Sequence, residues 1–225
     1  MGTKAKICGL QKLEDVLTAV GYGADLIGLV FVPNTKRRID IVVASEIIEH
    51  LKLRFNRRPQ TVGLFADQSL EEVNNHVQFL NLDRVQLCGN ESAEFCSNVS
   101  VPVIKVIHVP EIVSSTKQVS EIAVQIDRYV NKGHLIALDR QVDNLKGGTG
   151  MNFDWGVAAT LSEQGYKFIL AGGLTPVNLA RAIDLTVPWA VDVSSGVETD
   201  GEKDSHKIRD FISIAHAKKR RDIQN

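Results

Sequence analysis

The chain has 225 residues, 44% of them hydrophobic, and its 26 Lys and Arg against 27 Asp and Glu leave a net charge of -1. Such a length supports one large α/β domain or two small ones with most apolar surface buried. The near-neutral balance removes the electrostatic case for a nucleic-acid or membrane partner, and no apolar stretch reaches the ~18 residues of a membrane-spanning helix.

Three cysteines, Cys8, Cys88 and Cys96, form no C-x-x-C pair, and none of the six histidines stands in H-x-x-x-H spacing. Neither a disulfide framework nor a zinc site is expected, and a reducing compartment is. Residues 1–6 lack the apolar run of a signal peptide, so the expected location is cytoplasmic. The basic run Lys218-Lys219-Arg220-Arg221 is read as part of a solvated tail over 218–225.

In chain order, the first apolar run, 5–10, is followed by Leu13, Val16, Leu17 and Val20, one stripe at helical spacing. A second run, 25–31, precedes Ile41, Ala44, Ile47, Ile48 and Leu51, which again share a face. Further short runs lie at 61–65, 84–87, 101–107, 134–138, 168–171 and 189–193. The last is followed by Ile208, Phe211, Ile212 and Ala215 on one helical face. Strict alternation of strand and helix implies a parallel sheet, and eight such units over 1–225 predict a single-domain (β/α)8 barrel. The rival, an open dinucleotide-binding sheet, wants G-x-G-x-x-G after its first strand, and Cys8-Gly9-Leu10-Gln11 stands there instead.

Polar residues cluster where the strands end: Cys8-Gly9, Asp67, Cys88-Gly89, His108, Asp139, Gly172-Gly173 and Ser194-Ser195-Gly196. Barrel enzymes build their sites at that face. Cys8 is either a small core hydrophobe or a base. Alternation puts Lys6 on the same face as Cys8, where its ammonium would lower the thiol's pKa. A buried Lys6 would need a counter-ion, and Asp192, on the strand that closes against the first, is the candidate. Asp139 is a turn residue or an acid. The polar stretch 141–146 and Gly147-Gly148-Thr149-Gly150 after it look like a mobile flap over a site.

Glycines at 172 and 173, with Ser194 and Ser195 after the last strand, suit a phosphate bound by backbone N–H groups of the last two loops. Two tight turns would also use such residues. In Pro33-Asn34-Thr35-Lys36-Arg37-Arg38 an arginine at the mouth could clamp a carboxylate. Asp67, His108 and Asp154 are read as surface or capping residues, and Trp155 and Trp189 as core.

With these residues laid out, the chain resembles the phosphoribosylanthranilate isomerase family from Lys6 to about Ala215, with an expected bias toward its fungal members. The resemblance is carried by Lys6-Ile7-Cys8-Gly9, Phe31-Val32-Pro33-Asn34-Thr35-Lys36-Arg37, Gly147-Gly148-Thr149-Gly150, Ala171-Gly172-Gly173-Leu174 and Asp192-Val193-Ser194-Ser195-Gly196-Val197-Glu198. It implies a cofactor-free Amadori rearrangement of a phosphorylated small molecule, with Cys8 as general base and Asp139 as general acid. It also implies Arg37 on the anthranilate carboxylate, and backbone around Gly172, Gly173, Ser194 and Ser195 on the phosphate. No metal and no obligate protein partner are implied. The family's fourth strand usually ends Gln-Leu-His-Gly; here Cys88 replaces the histidine. A histidine-pathway isomerase would pair two aspartates, with a carboxylate where Cys8 stands. A catalytically silent scaffold would have no need of Cys8, Asp139 and Arg37 together.

Overall fold

A computed structural model describes residues 2–110, 115–140 and 155–217. Its elements begin with β1 (Lys4–Cys8), α1 (Leu13–Gly21), β2 (Leu26–Val30), α2 (Ile41–Arg54), β3 (Gln60–Phe65), α3 (Leu70–Leu80), β4 (Arg84–Leu87) and α4 (Ala93–Ser97). They continue with β5 (Val103–Val109), α5 (Thr116–Val130), β6 (Leu135–Arg140), α6 (Trp155–Glu163), β7 (Phe168–Leu170), α7 (Pro176–Thr186) and β8 (Ala190–Val193). A short hairpin, β9 (Glu198–Thr199) and β10 (Glu202–Lys203), then leads into α8 (Ser205–Ala217). β1 to β8 pair in sequence order, and β8 pairs back to β1, so the parallel sheet closes into the expected barrel.

Strands buried on both faces need apolar residues at nearly every position, which is why they stand out as short continuous runs. Alternate positions serve two different layers. Ala5 and Ile7 of β1 face outward into the larger core between sheet and helices. Cys8 joins Leu26, Val30, Leu64, Val106 and Ile169 in the smaller cluster inside the barrel. Helix stripes meet the outward layer: Ala44, Ile47, Ile48 and Leu51 of α2, and Ile208, Phe211, Ile212 and Ala215 of α8, are all buried. Trp155 and Trp189 are also buried, as read from the sequence.

Side chains that compete with the backbone fix the helix starts. Ser69 Oγ accepts from Glu72 N at 3.1 Å, and Ser92 Oγ from Phe95 N at 3.1 Å. Asp40 Oδ1 takes Val42 N at 2.8 Å.

One boundary differs from the sequence reading in a way that touches the site. β6 does not stop at Leu138: Asp139 and Arg140 continue the ladder, opposite His108 and Val109. β5 runs to Val109 and carries the pairing two residues further. Asp139 is therefore a strand residue, paired on its β5 side, rather than the first residue of a loop. Residues 141–146, Gly147-Gly148-Thr149-Gly150, Asp154 and the tail 218–225, on which the sequence sets expectations, lie outside the described residues.

Candidate active site

The C-terminal ends of the barrel strands surround a cavity of about 480 Å³. Cys8, Arg37, Asp139, Gly172, Gly173, Ser194 and Ser195, the residues singled out from sequence, all line it, as do Cys88 and Asp192. Arg38 and His108 are exposed and line no part of it; Asp67 is exposed too, its Oδ1 accepting from Asn90 N at 2.6 Å in a loop-to-loop link.

Cys8 ends β1 with its thiol inside the barrel. Gly28, beside it on β2, leaves room for the sulfur: a Cβ there would lie 2.6 Å from Sγ. Lys6, one inward position below, is fully buried and donates from Nζ to Asp192 Oδ2 at 2.7 Å. The register explains the pair, because Lys6 and Asp192 are Cα partners across the β1–β8 seam. Burial works against the lysine's charge, but Asp192 and the Cys8 thiolate outweigh it and hold the ammonium above the ordinary lysine range. Asp192 Oδ1 has no hydrogen-bond partner among the described residues.

Lys6 pulls the Cys8 thiol down, as expected, but it is not the largest influence there. Burial pushes the thiol up, and the nearby ammonium only partly offsets it, so the net shift is upward. Lys6 limits the penalty without overcoming it. Cys88, where the family usually carries histidine, is pushed up to about 12 by burial and receives Gln86 Nε2 at 3.7 Å. It stands in the cavity wall as a neutral thiol.

Asp139 is raised above the ordinary carboxylate range. Burial is the main cause, opposed by the Arg140 N–H on Oδ1 at 2.7 Å and reinforced by the charge of Asp192. A carboxyl that holds its proton more firmly than usual is suited to donating it. The loop after β7 packs directly on this group. Gly172 and Gly173 both have positive φ (81° and 69°), and a Cβ on Gly172 would lie 2.9 Å from Asp139 Oδ1. Only glycine fits there, and the bare backbone is left facing the cavity. On the β8 side, Ser194 Oγ is buried with no partner among the described residues. Arg37 is the one arginine of its loop on the cavity wall, its side chain 35% exposed.

The sequence reading gives no role to Glu198, which holds Arg37, or to Lys203, which holds Glu198. Glu198 accepts from Arg37 Nε and Nη2, both at 2.8 Å, and also takes Lys203 Nζ at 2.9 Å. The signal that could have found them is Asp200-Gly201, a two-residue hairpin turn that sets Glu198 opposite Lys203.

Fold and cavity define the class: a single-domain (β/α)8 barrel with titratable groups gathered at the C-terminal mouth. Residues 5–214 match the family described as N-(5'phosphoribosyl)anthranilate (PRA) isomerase, and the chain belongs to that family. An N-(5'-phosphoribosyl)anthranilate isomerase of Dehalococcoides mccartyi is 46% identical over 93% of this chain and 94% of its own. A multifunctional tryptophan biosynthesis protein of Phycomyces blakesleeanus is 35% identical over 94% of this chain, which matches 32% of that longer protein. The bacterial relative thus stands nearer than this fungal one, and the expected bias toward fungal members is not supported. Among solved structures, phosphoribosyl anthranilate isomerase from Thermotoga maritima superposes with a TM-score of 0.81 at 34% identity, over 96% of this chain and 99% of that one. A complex of such an isomerase with reduced 1-(o-carboxyphenylamino)-1-deoxyribulose 5-phosphate superposes with a TM-score of 0.78 at 33% identity, over 96% and 99%.

Proposed function

We propose that this chain is a phosphoribosylanthranilate isomerase of tryptophan biosynthesis, converting N-(5'-phosphoribosyl)anthranilate to 1-(2-carboxyphenylamino)-1-deoxyribulose 5-phosphate without a cofactor. The observation that carries this reading is the meeting of Cys8 and Asp139 in one cavity with Arg37 and the two glycine- and serine-bearing loops. In this reading the phosphate takes the backbone of Gly172, Gly173, Ser194 and Ser195, and the anthranilate carboxylate takes Arg37. Asp139 gives its proton to the ring oxygen as the C1–O bond breaks, and the nitrogen lone pair forms the C1=N bond. Cys8, as thiolate, then removes the proton on C2; that electron pair forms C1=C2 and the C=N pair returns to nitrogen. The enolamine loses its hydroxyl proton and gains one at C1, giving the C2 ketone.

β1 and β6 are separated by β7 and β8 around the ring, so base and acid approach a pinned substrate from different directions. Burial of both groups gives the chemistry a site of low dielectric, at the cost of a thiol that ionises reluctantly. A cytoplasmic location belongs to the same proposal, supported by the composition; among the described residues, no helix is long and apolar enough to cross a membrane. The test is addition of purified protein to freshly made phosphoribosylanthranilate. The anthranilate-adduct fluorescence should fall with time and a ketose of the same mass should appear; a stable signal over hours at micromolar protein would reject the reading.

A further inference from the structure

Behind Arg37 lies a charged unit that none of the steps above uses. Asp200 and Gly201, with φ of 53° and 85°, turn the chain so that β9 and β10 pair and Lys203 stands across from Glu198. Both side chains are nearly sealed, Glu198 at 10% exposure and Lys203 at 5%. Lys203 Nζ donates to Glu198 Oε1 and to the backbone oxygen of Ser194, each at 2.9 Å. Lys207 Nζ holds the Glu198 carbonyl at 2.7 Å, which fixes the hairpin to α8.

Glu198 does not line the large cavity. Together with Arg37 and Lys203 it lines a separate cavity of about 120 Å³. Arg37 is therefore a wall between the two, with its Nε and Nη2 tied to the carboxylate on the far side. A guanidinium has five N–H donors in a rigid plane, so fixing one edge fixes where the other edge points. The stem of the same arginine packs over Gly9, where a Cβ would lie 2.5 Å from Arg37 Cδ and 2.9 Å from Ser194 Oγ. Arg37 and the Ser194 loop are thus neighbours through the residue after Cys8, and Lys203 joins them a second time. Two cations against one carboxylate leave the unit with one net positive charge, facing a cavity for a ligand with anionic groups at both ends.

We propose that Glu198 and Lys203 are positioning residues that orient Arg37 toward the substrate carboxylate and brace, through the Ser194 carbonyl, the loop that takes the phosphate. The hairpin then sets both anion sites from one side. This rests on the functional reading above and adds to it the residues that fix substrate geometry without touching substrate.

The experiment titrates free anthranilate and inorganic phosphate separately into wild type, Glu198→Gln, Lys203→Met and Lys203→Arg, and measures KM and kcat on the full substrate in parallel. Glu198→Gln should weaken anthranilate about tenfold and leave phosphate within about threefold, with the loss on substrate falling mainly on KM. Lys203→Met should weaken both fragments by about fivefold or more, and Lys203→Arg, which can still reach Glu198 and the Ser194 oxygen, should recover most of it. The idea is overturned if Glu198→Gln binds anthranilate within twofold of wild type. It is equally overturned if the Lys203→Met losses are not recovered by Lys203→Arg, or come with a matching fall in kcat and melting temperature, which marks a merely structural role. Fragment binding that follows the expected pattern in a wild type without turnover would sink the isomerase reading and leave this one standing.

Discussion

Lys6→Met perturbs stability and chemistry through one buried contact, and the two effects can be separated. Lys6 has no exposed surface, and its ammonium lies 2.7 Å from Asp192, itself 7% exposed. Methionine fills a similar volume but leaves the Asp192 carboxylate buried, with Oδ1 already unpartnered among the described residues. Breaking a buried pair from one side typically costs about 3–5 kcal/mol, because the remaining charge is uncompensated. At roughly 2–4 °C per kcal/mol for a chain of this size, the melting temperature should fall by about 6–20 °C. The thiol is affected separately: Lys6 is the strongest influence pulling the Cys8 pKa down, so its loss lets burial raise the thiol further. Each unit of further rise removes about tenfold of the thiolate, and turnover at neutral pH should drop in proportion. Lys6→Met with Asp192→Leu removes both charges, which restores stability when a buried pair is replaced as a whole. It also removes the smaller upward influence of Asp192 on the thiol, but it does not restore the cation beside Cys8. Calorimetric melting and the fluorescence assay on the single and double variants should therefore diverge, with melting largely recovered and turnover not. A single variant melting within about 2 °C of wild type, or a double variant with wild-type turnover, would refute the reasoning.

Arg37→Ala removes a charge-assisted clamp worth about 1.5–3 kcal/mol, so KM should rise by roughly ten- to a hundredfold, whereas Arg38→Ala, an exposed neighbour, should stay within about twofold in the same steady-state assay. Asp139→Asn keeps the shape and loses the proton; turnover should fall about 10²–10⁴-fold while inorganic phosphate still inhibits with a near-normal constant. The pH profile of kcat/KM should be bell-shaped. Activity requires Asp139 protonated and Cys8 ionised, the minority arrangement of one shared proton, so it rises through the carboxyl pKa and falls through the thiol pKa. Both shifts are upward, which puts the acid limb above the ordinary carboxylate range and the alkaline limb above the ordinary thiol range. An alkaline limb below the ordinary thiol range would show that Lys6 outweighs burial after all.

What the sequence reveals depends on how local the cause is. Strands with both faces buried show as unbroken apolar runs such as Leu26–Val30, and the helix stripes on α2 and α8 repeat at 3.6 residues, so the barrel can be read from residue order alone. Pairing partners extend beyond such runs: Asp139 belongs to β6 because β5 continues beside it, and no property of residues 134–138 reports that. Lys6 under Cys8 follows from alternation within a single strand. The sign of the thiol's shift does not, since it depends on desolvation by the packed neighbours, Gly28 among them, 20 positions away in sequence. Arg37 is legible as a loop arginine, but Glu198, 161 residues further on, is joined to it only by closure of the barrel and the turn at Asp200-Gly201.

The central claim, that Cys8 takes the proton in an isomerisation of phosphoribosylanthranilate, is tested most directly by the initial rate of adduct-fluorescence loss for wild type and Cys8→Ser side by side at saturating substrate. Serine keeps the size of the side chain and replaces the thiol by a hydroxyl that does not ionise in the working range. The account predicts a wild type that turns over and a Cys8→Ser enzyme slower by about 10²–10⁴-fold with KM little changed. A Cys8→Ser rate within about threefold of wild type would contradict it.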